Sequence, residues 1–308
     1  MNKNASVFKI AILLSCMLPA FSALAAPPGG GGGGPCTIEA GADCQFTIFV
    51  DGRDREYLLH IPDGYDGSPI ALVVDVHGYT QTPEWQRDNS GMNELSDVET
   101  FAVAWPRGGP ISKPKFFDKG FNGSAEWVDP GCCATPVREN WDDVALMAAV
   151  KYDVASKINV DKFYFTGLSN GSYMGHRLLC EAPGEFDAYA TTSAALSDSW
   201  DDCNPSDTRP VLYLHGRNDT TQPIEGDTVA GEAMLSTADT MAIYASRNIC
   251  SGYPNDYEVT FSAGTSWCRE YNGCNKSVAY CELDAPHITY GASQLDTAEV
   301  FWDFFSRH

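Results

Sequence analysis

The sequence predicts an α/β fold: a mainly parallel, doubly wound sheet with helices on both faces, stapled by disulfides. Three observations carry that expectation. Nearly continuous apolar runs at 70–76, 101–105 and 211–214 read as strands buried on both faces. Helical spacing alternates with such runs along the chain, the pattern of strand–helix–strand crossovers. The stretch Phe163-Tyr164-Phe165-Thr166-Gly167-Leu168-Ser169-Asn170-Gly171 then runs from strand through Gly-x-Ser-x-Gly into a helix. No internal repeat is visible, and 308 residues suit one large domain of this kind.

The elements follow in order. Residues 1–26 carry Lys3 and Lys9, an apolar run interrupted by Pro19, and the small-residue site Ala23-Leu24-Ala25. That is a secretory signal peptide, so the mature protein is expected outside the cytoplasm, extracellular or periplasmic. Residues 27–35 include six consecutive glycines and read as a flexible linker. A single catalytic domain is expected over 36–308. Strands at 46–50 and 56–61 flank the turn signal Asp51-Gly52. The buried strand 70–76 leads into His77-Gly78-Tyr79-Thr80-Gln81-Thr82, and 101–105 ends at Pro106. Residues 107–139 form a long excursion rich in glycine, proline and aromatics, Phe116, Phe117, Phe121 and Trp127 among them. Helical spacing resumes at Asn140, with Val144, Met147, Ala148 and Tyr152 on one face. After the serine stretch come a helix to Leu179, a strand over 189–195 and the strand 211–214. A helix around 229–247, a cysteine-rich pair of strands and a closing helix over 296–305 complete the chain.

Composition excludes some functions. The formal net charge is −21, and without the two leader lysines the exported chain carries −23. Nucleic acid and anionic membranes are not expected as partners at that charge, and no second long apolar run predicts membrane insertion. Of eleven cysteines, Cys16 lies in the leader, which leaves ten. An even number in an exported protein predicts disulfides, five in all. Cys36 is expected to pair with Cys44, and Cys250, Cys268, Cys274 and Cys281 mostly among themselves. Cys132 and Cys133 are adjacent and are expected to bond to different partners. No Cys-x-x-Cys with partner histidines and no Asp-x-Asp-x-Asp-Gly loop is present, so no metal and no cofactor are expected.

Ser169 is the candidate nucleophile. A tight turn with flanking Gly167 and Gly171 would project its hydroxyl off the sheet, where a Cβ at either glycine would collide. A serine hydroxyl needs a base, and the base needs an orienting carboxylate. On such a sheet the chain order is serine, acid, histidine. Of six histidines, His287 alone follows the candidate acids in a loop with one helix still to come. Asp219 follows the strand 211–214 at the carboxyl edge of the sheet, where ligands bind. Asp284, close to His287, is the alternative acid. The oxyanion hole needs two backbone N–H groups, assigned to Asn170 and to Tyr79, with Thr80 next. Trp85, Trp127 and Tyr290 are candidate substrate-binding aromatics for an open cleft without a lid.

These motifs resemble secreted polyhydroxybutyrate depolymerases and related feruloyl esterases. His77 to Thr82 resembles that family's oxyanion loop, and Gly167 to Gly171 its elbow. Cys132-Cys133 after Trp127, Asp142-Asp143-Val144, Arg177-Leu178-Leu179-Cys180-Glu181-Ala182-Pro183 and Leu214-His215-Gly216-Arg217-Asn218-Asp219 are similar too. The resemblance covers about 40–308. It implies the α/β-hydrolase fold, the triad Ser169, Asp219 and His287, and a Cys180–Cys203 disulfide. The family usually has Trp-Pro-Gly after the histidine; here Ile288-Thr289-Tyr290-Gly291 follows. The expected function is a monomeric secreted serine esterase acting on feruloyl-type, short-chain or polymeric esters. A polyhydroxyalkanoate or other polyester depolymerase is the alternative within that reading. A non-catalytic binding module on the same scaffold is the alternative outside it.

Overall fold

The computed structural model describes residues 36–109, 141–198, 203, 207–229, 232–251, 257–291 and 295–308. The expected signal peptide, the glycine linker, Trp127, Cys132 and Cys133 lie outside the described residues.

A ten-stranded sheet runs in the order β1 (Asp43–Val50), β2 (Arg53–His60), β4 (Ala102–Pro106), β3 (Ile70–Val76), β5 (Val160–Leu168), β6 (Ala188–Thr192), β7 (Val211–Gly216), β12 (Val278–Leu283), β11 (Ser266–Tyr271) and β10 (Tyr257–Ala263). Every pairing from β4 across to β12 is parallel, and the outer pairings are antiparallel. β8 (Asp227–Val229) and β9 (Glu232–Met234) make a separate short hairpin. The helices among the described residues are α1 (Pro83–Ser90), α2 (Met92–Glu99), α3 (Asp143–Ala155), α4 (Asn170–Glu181), α5 (Thr237–Arg247) and α6 (Thr297–Phe305).

Period-two alternation splits the core into two layers. Leu72, Val74 and Val76 of β3, with Val211 and Tyr213 of β7, face α3, α4 and α5. Val73, Leu212 and Leu214 face the other way, with Met92 of α2 and Phe301, Phe304 and Phe305 of α6. That is why these strands read as continuous apolar runs: each side chain has a helix layer to bury against. No described helix is long and apolar enough to cross a membrane.

Several boundaries differ from the sequence reading. The pattern places nothing between 82 and 100, where α1 and α2 lie. α1 buries Pro83, Gln86 and Ser90, so its inner face is polar and invisible to hydropathy. The predicted face of α3 is shifted: Tyr152 is 60 % exposed, and Asp143, Leu146, Met147, Val150, Lys151 and Val154 are buried. Buried Asp143 pairs with Arg55 at 2.6 Å and Lys151 with Glu185 at 2.5 Å, and these charges hide the apolar stripe. The helix expected around 229–247 begins at Thr237, capped by Ser236, behind the β8–β9 hairpin. The cysteine-rich pair of strands is a set of three, β10 to β12.

Disulfides join Cys36–Cys44, Cys180–Cys203, Cys250–Cys274 and Cys268–Cys281. Cys268 and Cys281 are direct cross-strand partners of β11 and β12. Every described cysteine is thereby paired, so none of them remains as a partner for Cys132 or Cys133.

Candidate active site

β5 delivers Ser169 to the carboxyl edge of the sheet, and α4 begins at the next residue. Ser169 has φ 54° and ψ −112°, left-handed for a residue with a side chain. Its N–H donates to the Thr192 carbonyl at 2.9 Å, which holds the turn against β6. The two glycines are sterically required. A Cβ on Gly167 would lie 2.6 Å from the Gly171 backbone, and one on Gly171 2.2 Å from the Val76 carbonyl oxygen. The hydroxyl is thus forced off the sheet beside the first turn of α4, where the positive end of the helix dipole favours negative charge.

His287 lies in the loop after β12, and Asp219 in the turn after β7. His287 Nδ1 is 2.7 Å from Asp219 Oδ2, and His287 Nε2 is 3.0 Å from Ser169 Oγ. A carboxylate only accepts, so Nδ1 carries the proton and Nε2 accepts from the serine hydroxyl. The Asp219 side chain is fully buried. Its Oδ1 accepts the N–H groups of Thr221 and Gln222, each at 2.8 Å. Burial disfavours the Asp219 charge, but hydrogen bonds from His215, His287 and the Gln222 amide outweigh it. They hold the carboxyl well below the usual carboxylate range. Asp284 is exposed and accepts from Asn218 Nδ2 at 2.9 Å, away from the histidine.

The loop 77–82 packs against the serine: a Cβ on Gly78 would lie 3.3 Å from Ser169 Cβ. Buried His77 pins this loop. Its Nδ1–H donates to the Gly78 carbonyl at 2.8 Å, and its Nε2 accepts the Gly108 N–H at 3.1 Å. Burial lowers its pKa to about 4, so the ring is neutral. The Gly78 N–H donates to Gln81 Oε1 at 2.8 Å, which closes the loop on itself.

No protein-family model matches the sequence. The chain is 29 % identical over 260 residues to feruloyl esterase C of Emericella nidulans, covering 82 % of this chain and 83 % of that one. It is 22 % identical over 262 residues to a bifunctional acetylxylan esterase/xylanase of Neocallimastix patriciarum, covering 83 % of this chain and 34 % of that one. Its fold is similar to the solved acetyl xylan esterase of Aspergillus awamori, with TM-score 0.58 and 15 % identity, over 86 % of this chain and all of that one. The chain has the α/β-hydrolase fold and is similar in sequence to feruloyl esterases. It is a carboxylic ester hydrolase.

Around the esterase's serine the remaining sequence-named residues divide. Trp85 of α1 and Tyr290 are neighbours, their ring centroids 6.5 Å apart. Tyr290 is also tied inward, its hydroxyl accepting from Gln86 Nε2 at 2.8 Å. Gln86 donates as well to buried Asp75 at 2.6 Å, and Trp105 Nε1 donates to the other Asp75 oxygen at 3.0 Å. This polar chain under the histidine loop has no signature in the sequence, because Asp75 sits within an apolar run and Tyr290 is 204 residues from Gln86. Gln222 and Tyr173 were equally hidden: Tyr173 of α4 donates its hydroxyl to Gln222 Oε1 at 2.5 Å. Among the described residues no cluster of histidine, cysteine and carboxylate side chains has the geometry of a metal site.

Proposed function

We propose that this protein is a secreted serine esterase acting on aromatic, feruloyl-type or short-chain carboxylic esters. The observation that carries the reading is the hydrogen-bonded line from Ser169 through His287 to Asp219, with contacts of 3.0 and 2.7 Å. In this mechanism Ser169 Oγ attacks the ester carbonyl carbon while His287 Nε2 takes its proton. The Asn170 and Tyr79 N–H groups bind the oxyanion of the tetrahedral intermediate. His287 returns the proton to the leaving alcohol, giving an acyl-serine. Water, deprotonated by His287, then releases the acid and restores Ser169. Asp219 holds the imidazole in the required tautomer throughout.

The likeness to feruloyl esterase C and the Trp85–Tyr290 aromatic pair support a planar acyl group. The four disulfides support an oxidising compartment and, with the leader sequence, export. The test is hydrolysis of p-nitrophenyl acetate, methyl ferulate, a polyhydroxybutyrate film and emulsified long-chain triglyceride. The first two are expected to be cleaved and the triglyceride poorly. Ser169→Ala is expected to lose about 10⁶-fold in turnover while remaining folded. More than a few per cent of residual activity in that variant overturns the assignment of the nucleophile. Triglyceride as the best substrate overturns the substrate class.

A further inference from the structure

The acid of the site touches two imidazoles. His287 occupies one side of Asp219 Oδ2, and His215 Nε2 stands 3.3 Å from the same oxygen. His215 is the penultimate residue of β7, and its side chain is fully buried. Its Nε2 is also 2.7 Å from the Gln222 carbonyl oxygen. A carbonyl only accepts, so Nε2 carries the hydrogen and shares it between Gln222 O and the carboxylate. Nδ1 is then an acceptor facing the hydroxyls of Thr237 at 2.7 Å and Tyr213 at 2.8 Å. Both nitrogens are therefore engaged and the ring has one orientation.

The carbonyl that His215 holds belongs to the residue that organises the acid. The Gln222 N–H donates to Asp219 Oδ1 at 2.8 Å, and its side chain is tied to Tyr173 of α4, the helix that begins beside the nucleophile. Any buried imidazole needs partners for its ring nitrogens; what sets His215 apart is that its Nε2 partners are the acid itself and the residue that organises the acid. We propose that His215 is a positioning residue for the esterase reaction: its Nε2–H fixes the 219–222 turn and donates a second hydrogen bond to Asp219. The carboxylate is then held on all sides, by two backbone amides, His215 and His287. It presents one lone pair to His287 Nδ1–H at the angle that aims Nε2 at Ser169. The inference rests on the reading of Asp219 as the acid of the triad.

The test compares His215→Gln with His215→Asn by steady-state hydrolysis of p-nitrophenyl acetate, beside Asp219→Asn. Glutamine places an amide N–H where Nε2 stands; asparagine is one carbon shorter and does not reach Gln222 O. Circular dichroism and a melting curve establish that each variant is folded. His215→Asn is expected to lose about ten-fold or more in kcat with KM nearly unchanged, and His215→Gln to stay within about three-fold of the parent. Equal losses in both variants reduce His215 to packing and overturn the inference. So does an Asn variant with the parent's kcat, or one whose loss lies in KM alone. If Asp219→Asn keeps its activity, the triad reading itself fails, a different result from a silent His215.

Discussion

Ser169 holds a backbone conformation that costs on the order of 1–3 kcal/mol, and the surrounding contacts over-determine it. Gly167 and Gly171 let the strand, the turn and α4 approach to distances that no side chain survives, and the Ser169 N–H is locked to Thr192. The same logic of fixed partners separates the two candidate acids. Asp219 receives two backbone amides and two imidazoles in a fully buried position. An amide in its place would turn an N–H towards one of those donors and leave the imidazole in the wrong tautomer. Asp219→Asn is therefore expected to lower kcat by about 10⁴-fold. Asp284 is exposed in a turn bonded to Asn218, so Asp284→Asn is expected to leave kcat within about two-fold of the parent, as surface changes do. Measuring kcat for both variants decides the matter, and the reverse order would move the acid to Asp284.

Arg55 shows how an element is held by a residue that pattern reading passes over. It lies in β2 and is 1 % exposed. Its Nη2 donates to the Arg107 carbonyl at 3.2 Å and to Asp143 Oδ1 at 2.6 Å, and its guanidinium lies 4.7 Å from the Trp141 ring. One side chain thus fixes the chain just after β4 and the start of α3 to the same strand. Arg55→Met removes the guanidinium and leaves the Asp143 charge buried. The expected cost is about 3–5 kcal/mol, measured as a lower urea midpoint, and Arg55→Met/Asp143→Leu should recover most of it. A loss below about 1 kcal/mol in the single variant would show that Arg55 does not hold this junction. The contrast explains what was legible in the sequence. β3 and β7 announce themselves because their neighbours are apolar on both faces, and the elbow is visible because the residue types it requires, a serine between two glycines, fall within five residues. α1 is silent because its inner face is Pro83, Gln86 and Ser90. The α3 stripe is misread because Asp143 and Lys151 belong to it, their charges met by residues far away in sequence. Asp75 escapes because its partners Gln86 and Trp105 lie on other elements, and His215 and Gln222 because the turn after β7 folds near neighbours in the chain back onto each other.

At the scale of the whole molecule, two buried histidines tie stability to pH. His77 pins the loop against Ser169, and His176 of α4 bonds Tyr244 at 2.6 Å and the Ala194 carbonyl at 2.8 Å. Burial lowers both pKa values to about 4, from an ordinary value near 6.5. The unfolded chain therefore binds these protons first as pH falls. The stability the histidines contribute is fully present above about pH 6.5 and is lost progressively down to about pH 4, on the order of 3 kcal/mol each. Asp75 acts with the opposite sign. Burial raises its pKa to about 6 against the hydrogen bonds of Gln86, Ser90 and Trp105. Its ionisation costs stability above about pH 6, and that cost is relieved as pH falls towards about 4, again on the order of 3 kcal/mol. Two histidines outweigh one aspartate, and their loss begins at higher pH. The surplus of carboxylates, which sets a net charge of −21, is mostly protonated only below about pH 5, so relief of its repulsion comes later. Between pH 7 and 5 the urea midpoint is therefore expected to fall, by the equivalent of about 2–3 kcal/mol. His176→Gln should lower stability at pH 7 and flatten the pH dependence. A midpoint that is level or rises from pH 7 to 5 would mean that the histidines do not govern the acid response, and an unchanged slope in His176→Gln would exclude His176 from it.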